Sequence, residues 1–251
     1  MIFENKYLGI NSVLIVLSSS IIATILHEFG HYAVALYLNL KPELHHNYVI
    51  PLIEGSLKSQ VIMAAAGPLC SLLIGLVALY VSINWIKPSL LKLFFLWLGM
   101  QNILMFLGYM LIAPISIDGD TGKVFDYIGV PLFLSISIAI SFFIFINFLF
   151  SKISNQFVFY KNDELFYTQE NSRQLFLWPI LSSIVIMTLL SFPIYSWVSL
   201  LPTVFMPMTY FSTMGRYKKL NITNAELTIH RLSVPLLILT IISIILFRFL
   251  V

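Results

Sequence analysis

Long apolar runs separated by short polar clusters make up most of the chain. The first begins near Leu8 and reaches about Leu40, with a polar interruption at His27-Glu28-Phe29-Gly30-His31. A second runs from about Gln60 to Ile83, a third from about Ser89 to Ala113, and a fourth from roughly Gly129 to Phe150. Each exceeds the roughly 20 residues a helix needs to cross the hydrocarbon layer of a bilayer. Ser151 to Gln174 is the most polar stretch and belongs in water. Leu175 to Phe211 is apolar but carries Pro179, Pro193, Pro202 and Pro207, so it reads as two short passes, or as one pass plus a surface or re-entrant piece. A second polar loop, Arg216 to Arg231, precedes a last apolar run, about Leu232 to Leu250. The pattern predicts an all-α integral membrane protein with six or seven transmembrane helices and no soluble domain. One short stretch departs from it: Asn47 to Ile53, NYVIPLI, is rich in β-forming residues and reads as an edge strand or as a surface loop.

Composition strengthens this reading. The 251 residues are 59% hydrophobic and only 10% charged, with a mean hydropathy of +0.93. Soluble domains carry about a quarter charged residues, so this chain lacks the polar surface to clothe a water-soluble globule. Its net charge of +3 is spread over loops and gives no nucleic-acid footprint. Basic residues beside spans set topology instead. If Leu175–Phe211 crosses twice, most of them share one side with Lys6, which places the N-terminus in the cytoplasm; a single crossing largely removes the bias. The single cysteine, Cys70, lies in an apolar run and reads as a small packing residue.

Chemistry concentrates at residues 27–31, which match H-E-x-x-H. On a helix, positions i and i+4 share a face, so both imidazoles can reach one metal ion, with Glu28 beside it as a general base. Three ionisable groups inside a membrane span are costly and point to function. Two histidines leave a zinc site one protein ligand short. Acidic residues near the spans are few: Asp118, Asp120 and Asp126 around the end of the third run, and Glu43 and Glu54 after the first. Asp118 is the expected third ligand, with Asp120 as the alternative, because Gly119 permits a tight turn that would aim the preceding carboxylate back into the bundle. His45 and His46 read as solvated loop residues, and His230 as interfacial.

His27–His31, Ala66-Gly67-Pro68 in the next span and Asp118-Gly119 at the end of a third, in that order, resemble the site-2 protease family of intramembrane zinc metalloproteases. The resemblance covers about residues 20 to 125. It implies a three-helix metalloprotease core within residues 1–128, one zinc ion per chain held by His27, His31 and Asp118, and Glu28 as the catalytic base. Residues 129–251 are then additional transmembrane helices of unknown role. The family pattern also has an asparagine in an N-x-x-P setting upstream of its DG pair. Here the nearest is Asn102, 16 residues before Asp118 with Met105 in the proline's place, and the resemblance gives it a substrate-binding role. The small residues Ala64–Gly67 read as helix-packing positions.

The expected activity is hydrolysis of peptide bonds in or near transmembrane segments of membrane proteins or peptide precursors, in a multi-pass protein of the cell membrane. The expected partners are that substrate, the lipid bilayer and a membrane protein docked on the C-terminal helices; nucleic acid is not among them. Two rivals make different demands. A non-catalytic scaffold would be expected to have lost Glu28. A metal transporter would need a path of polar residues through the later spans, where Leu232–Val251 offers only Ser233, Thr240, Ser243 and Arg248.

Overall fold

The structure is a computed structural model that describes residues 7–160, 165–193, 200–220 and 229–250. The centres of the two polar loops, 161–164 and 221–228, and the segment 194–199 lie outside the described residues. Helix α1 spans Leu8–Tyr37, followed by a hairpin of β1 (Pro42–Leu44) and β2 (Val49–Pro51), then α2 (Leu57–Asn84), α3 (Leu90–Ile112) and the short α4 (Asp120–Tyr127). The rest comprises α5 (Leu132–Ile153), α6 (Leu165–Ser172), α7 (Trp178–Leu190), α8 (Leu200–Phe205), α9 (Phe211–Lys219) and α10 (Val234–Phe249). The chain is 79% helical. Five stretches are long and apolar enough to cross a membrane: α1, α2, α3, α5 with its 3-10 extension to Tyr160, and Gln169–Leu190. This is the make-up of a membrane protein. Helix α10 is apolar but has 16 residues, about 24 Å at 1.5 Å per residue. Among the described residues of the proline-rich stretch, the first part forms a long helix and the portion from Leu200 onward is made of short ones.

Several polar residues inside the spans are accommodated by the backbone. Ser18 and Thr24 hydrogen-bond carbonyls one turn back in α1, which satisfies hydroxyls that meet no water. Pro179 lacks an N–H, and the turn before it is widened so that the Trp178 N–H bonds the Arg173 carbonyl five residues back. Lys92, buried on α3, donates from Nζ to the Ser82 carbonyl at 2.7 Å near the end of α2, where the helix dipole favours a cation.

Helix α1 sits at the centre, packed on α2, α3, α7 and α10. Gly75 and Gly99 let α2 and α3 approach closely, for a Cβ at either would meet the backbone of the other helix within 3.0 Å. On the far side of α3, Trp97 is fully buried among Phe157, Phe176 and Tyr210. Helix α5 is the least covered of the five and leaves a long apolar surface exposed.

Candidate metal centre

His27 and His31 lie on one face of α1, one turn apart and buried. Their Nε2 atoms approach to 3.1 Å with the rings edge to face. Each ring is anchored through its other nitrogen. His31 Nδ1 donates to the Met63 carbonyl of α2 at 2.7 Å, and His27 Nδ1 pairs with Ser71 Oγ at 3.1 Å. With Nδ1 carrying the proton, Nε2 presents a lone pair to the space between the rings.

A carboxylate completes the group. Asp120 Oδ2 lies 3.1 Å from His27 Nε2 and 3.2 Å from His31 Nε2. Two imidazole lone pairs and an anionic oxygen crowded together repel one another unless a cation or proton lies among them, so His27, His31 and Asp120 form a group that can hold a metal ion.

Asp120 replaces Asp118 as the third donor. Asp118 is exposed on the outer part of the 114–119 turn. The turn does not use the left-handed conformation open to glycine, since Gly119 has φ −72° and caps α4. Asp120 is the first residue of α4, where a carboxylate is favoured by the helix dipole. Helix α4 packs against α2 and α3, and this docking turns Asp120 toward α1. Gly122 makes it possible, because a Cβ there would overlap the Ser116 carbonyl. Asp126, Glu43 and Glu54 are exposed and outside the group.

Glu28 is buried at 6% exposure and lies in the electrostatic field of both His31 and Asp120. Gly67 has a more specific role than general packing. A Cβ at this position would overlap the His31 ring, so the glycine is the floor on which that imidazole rests. Asn102 is fully buried and donates to the Leu98 carbonyl of its own helix at 2.8 Å, while its Oδ1 has no hydrogen-bond partner among the described residues.

Two residues at the centre carried no sequence signal. Tyr109 of α3 stacks flat on His27, with centroids 5.0 Å apart and planes 5° from parallel, and its side chain interacts with Asp120. Ser71 anchors His27 from the second helix. Aromatic and hydroxyl residues are common in membrane helices, and neither stands out in the string. Of the two readings open for 47–53, the structure shows a strand over Val49–Pro51, in a hairpin packed on α1: Glu43 pairs with Ile50 and Leu44 with Val49 in antiparallel register. Its turn holds a departure from expectation, since His46 is 2% exposed and packs on Phe247 of α10. Burial lowers its pKa.

No family model matches the chain, and no curated protein or solved structure matches it either.

Proposed function

We propose that this protein is an intramembrane zinc metalloprotease, built on a core of α1, α2 and α3 within six or seven spans of a cellular membrane. One observation carries the reading: His27 Nε2, His31 Nε2 and Asp120 Oδ2 converge within 3.2 Å of one another between helices apolar enough to span a bilayer, with Glu28 next to the first ligand. Three atoms bound tetrahedrally to zinc at about 2.0–2.1 Å stand about 3.3 Å apart, close to the spacing found. The donor set therefore fits zinc, with one position left for substrate. The motif order that resembles the site-2 protease family supports the same reading, with Asp120 in the ligand role.

When bound, zinc would polarise the peptide carbonyl and acidify water. The Glu28 carboxylate takes the proton of the attacking water as its oxygen bonds the carbonyl carbon. It then delivers that proton to the nitrogen as the C–N bond breaks. Ser71 and the Met63 carbonyl hold the two imidazoles in the required tautomer, and Tyr109 fixes the His27 ring from its face. A substrate segment must be unwound to expose its peptide bond, and the β1–β2 hairpin beside α1 offers strand edges with which an extended chain can pair.

The test is zinc content of the detergent-purified protein. About one zinc per chain is expected, lost in His27→Ala and Asp120→Ala and retained in Asp118→Ala. A folded wild-type protein that takes up no supplied zinc would overturn the proposal in favour of a non-catalytic scaffold.

A further inference from the structure

Below the candidate metal centre the seam between α1 and α3 opens into a cavity of about 90 Å³. Its wall on α1 is Ser20, Ala23 and Thr24, and on α3 it is Gln101, Leu104, Met105 and Tyr109. These positions continue the stripe that bears the site: Ser20, Ala23, His27 and His31 recur at helical spacing on α1, as Gln101, Met105 and Tyr109 do on α3. Ala23 and Thr24 lie about 5 Å along the helix axis from His27. Tyr109 belongs to both spaces, stacked on His27 and lining the cavity. The remaining wall comes from outside the three-helix core: Ser183, Ile184 and Met187 of α7, with Thr203, Met206 and Pro207.

Several of the polar groups on this wall are paired with one another. Tyr210 donates to Gln101 Oε1 at 2.8 Å, Gln101 Nε2 donates to Ser20 Oγ at 2.6 Å, and Ser20 Oγ lies 3.2 Å from Ser183 Oγ. Thr24 bonds the Ser20 carbonyl. Apolar atoms nevertheless form most of the wall, which favours an apolar guest. An apolar cavity of roughly 150 Å³ admits benzene, so this smaller one suits an aliphatic side chain. Met105, Met187 and Met206 supply flexible, polarisable walls that adapt to such a guest. An extended peptide advances about 3.4 Å per residue, which puts the cavity within reach of a side chain close to a bond held at His27.

We propose that this cavity is a specificity pocket for an aliphatic side chain, of leucine or methionine size, flanking the bond to be cut, and that α7 and the segment at 203–207 are its substrate-selecting wall. The pocket's place beside a scissile bond rests on the protease reading. Helices beyond the core thereby select substrate rather than serve only as membrane anchors.

The test uses the Glu28→Gln protein in detergent, irradiated with short hydrophobic peptides carrying one photo-leucine, a diazirine analogue of leucine, with labelled residues mapped by mass spectrometry. Labelling is expected at Leu104, Met105, Met187 or Met206. It should be suppressed by excess of the same peptide with leucine and not by the version with aspartate. Ala23→Leu fills the cavity and should lower labelling about tenfold, the low end of what a single hydrophobic group contributes in a pocket. Met187→Ala enlarges it and should let a phenylalanine peptide compete, so the proposal stays testable if Ala23→Leu folds poorly. Label spread over the exposed face of α5 without competition would overturn it. Cleavage of the same peptides by the wild-type protein is scored separately. Labelling without cleavage keeps an aliphatic-binding pocket but overturns both the protease reading and the pocket's place beside a scissile bond. Cleavage without labelling keeps the protease and overturns the pocket.

Discussion

Replacing Gly67 by alanine adds a single methyl group, and the structure sets what that group meets. A Cβ built on Gly67 stands 2.6 Å from both Cδ2 and Cε1 of His31. Nε2, the donor atom, lies closer still, and ordinary contact begins near 3.4 Å, so the imidazole must retreat by about 1 Å or more, or α2 must shift by as much. Neither is easy, because His31 Nδ1 is tied to the Met63 carbonyl on the same helix as the new methyl. Functional constellations tolerate about 0.5 Å of displacement, and about 1 Å costs on the order of 10²-fold. We therefore expect Gly67→Ala to weaken metal binding by about 10²-fold, near 3 kcal/mol. The assay is competition for zinc against a chromogenic chelator in detergent, with helix content followed by circular dichroism. Gly215→Ala is the control, since a Cβ there meets nothing within 4 Å, and it should bind as the wild type does. Wild-type affinity in a folded Gly67→Ala protein would refute the placement of His31 against α2, and with it the metal centre as described.

Other expectations follow from the same geometry. Glu28→Gln should keep its zinc and lose peptide hydrolysis by at least about 10²-fold, read by metal analysis beside a cleavage assay. Ser71→Ala removes the anchor on His27 Nδ1 and should lower zinc affinity by about 10–100-fold without unfolding the protein. Lys92→Ala leaves the Ser82 carbonyl without its buried donor and should destabilise the protein by about 1–3 kcal/mol, measured as a lower thermal midpoint in detergent with zinc content unchanged.

The parts of this architecture visible in the string are those written in short-range periodicity. The apolar runs announced the long helices because lipid imposes a minimum length. His27, Glu28 and His31 declared a shared face because the helical repeat is local. The choice between Asp118 and Asp120 is not local. Both flank Gly119, and the difference lies in where α4 starts and how it docks on α2 and α3. A hint was present: an aspartate just after a glycine cap, opening D-T-G-K, is what a helix start favours, and that marks Asp120 over its neighbour. Tyr109 and Ser71 were hidden for another reason. Their roles depend on the rotation of α2 and α3 about their own axes, which the all-round apolar character of these helices leaves unmarked. His46 was misjudged because a loop in sequence was assumed to be a loop in water, whereas α10 covers it.

Asn11, three residues into α1, donates to the Arg231 carbonyl and accepts from the Ser233 N–H, partners more than two hundred positions away. Thr240 of α10 reaches the Leu14 carbonyl of the same helix. The helix that bears both histidines is thus clasped by the tenth, and the chain closes on itself like a belt whose buckle lies at the far end from the blade. Lesions in α10 would then register as loss of the metal centre, although none of its residues touches a ligand. While the polypeptide is still being made, the helix with the histidines has not yet met its clasp, and the metal-binding group would stay unsupported on that side until insertion is complete.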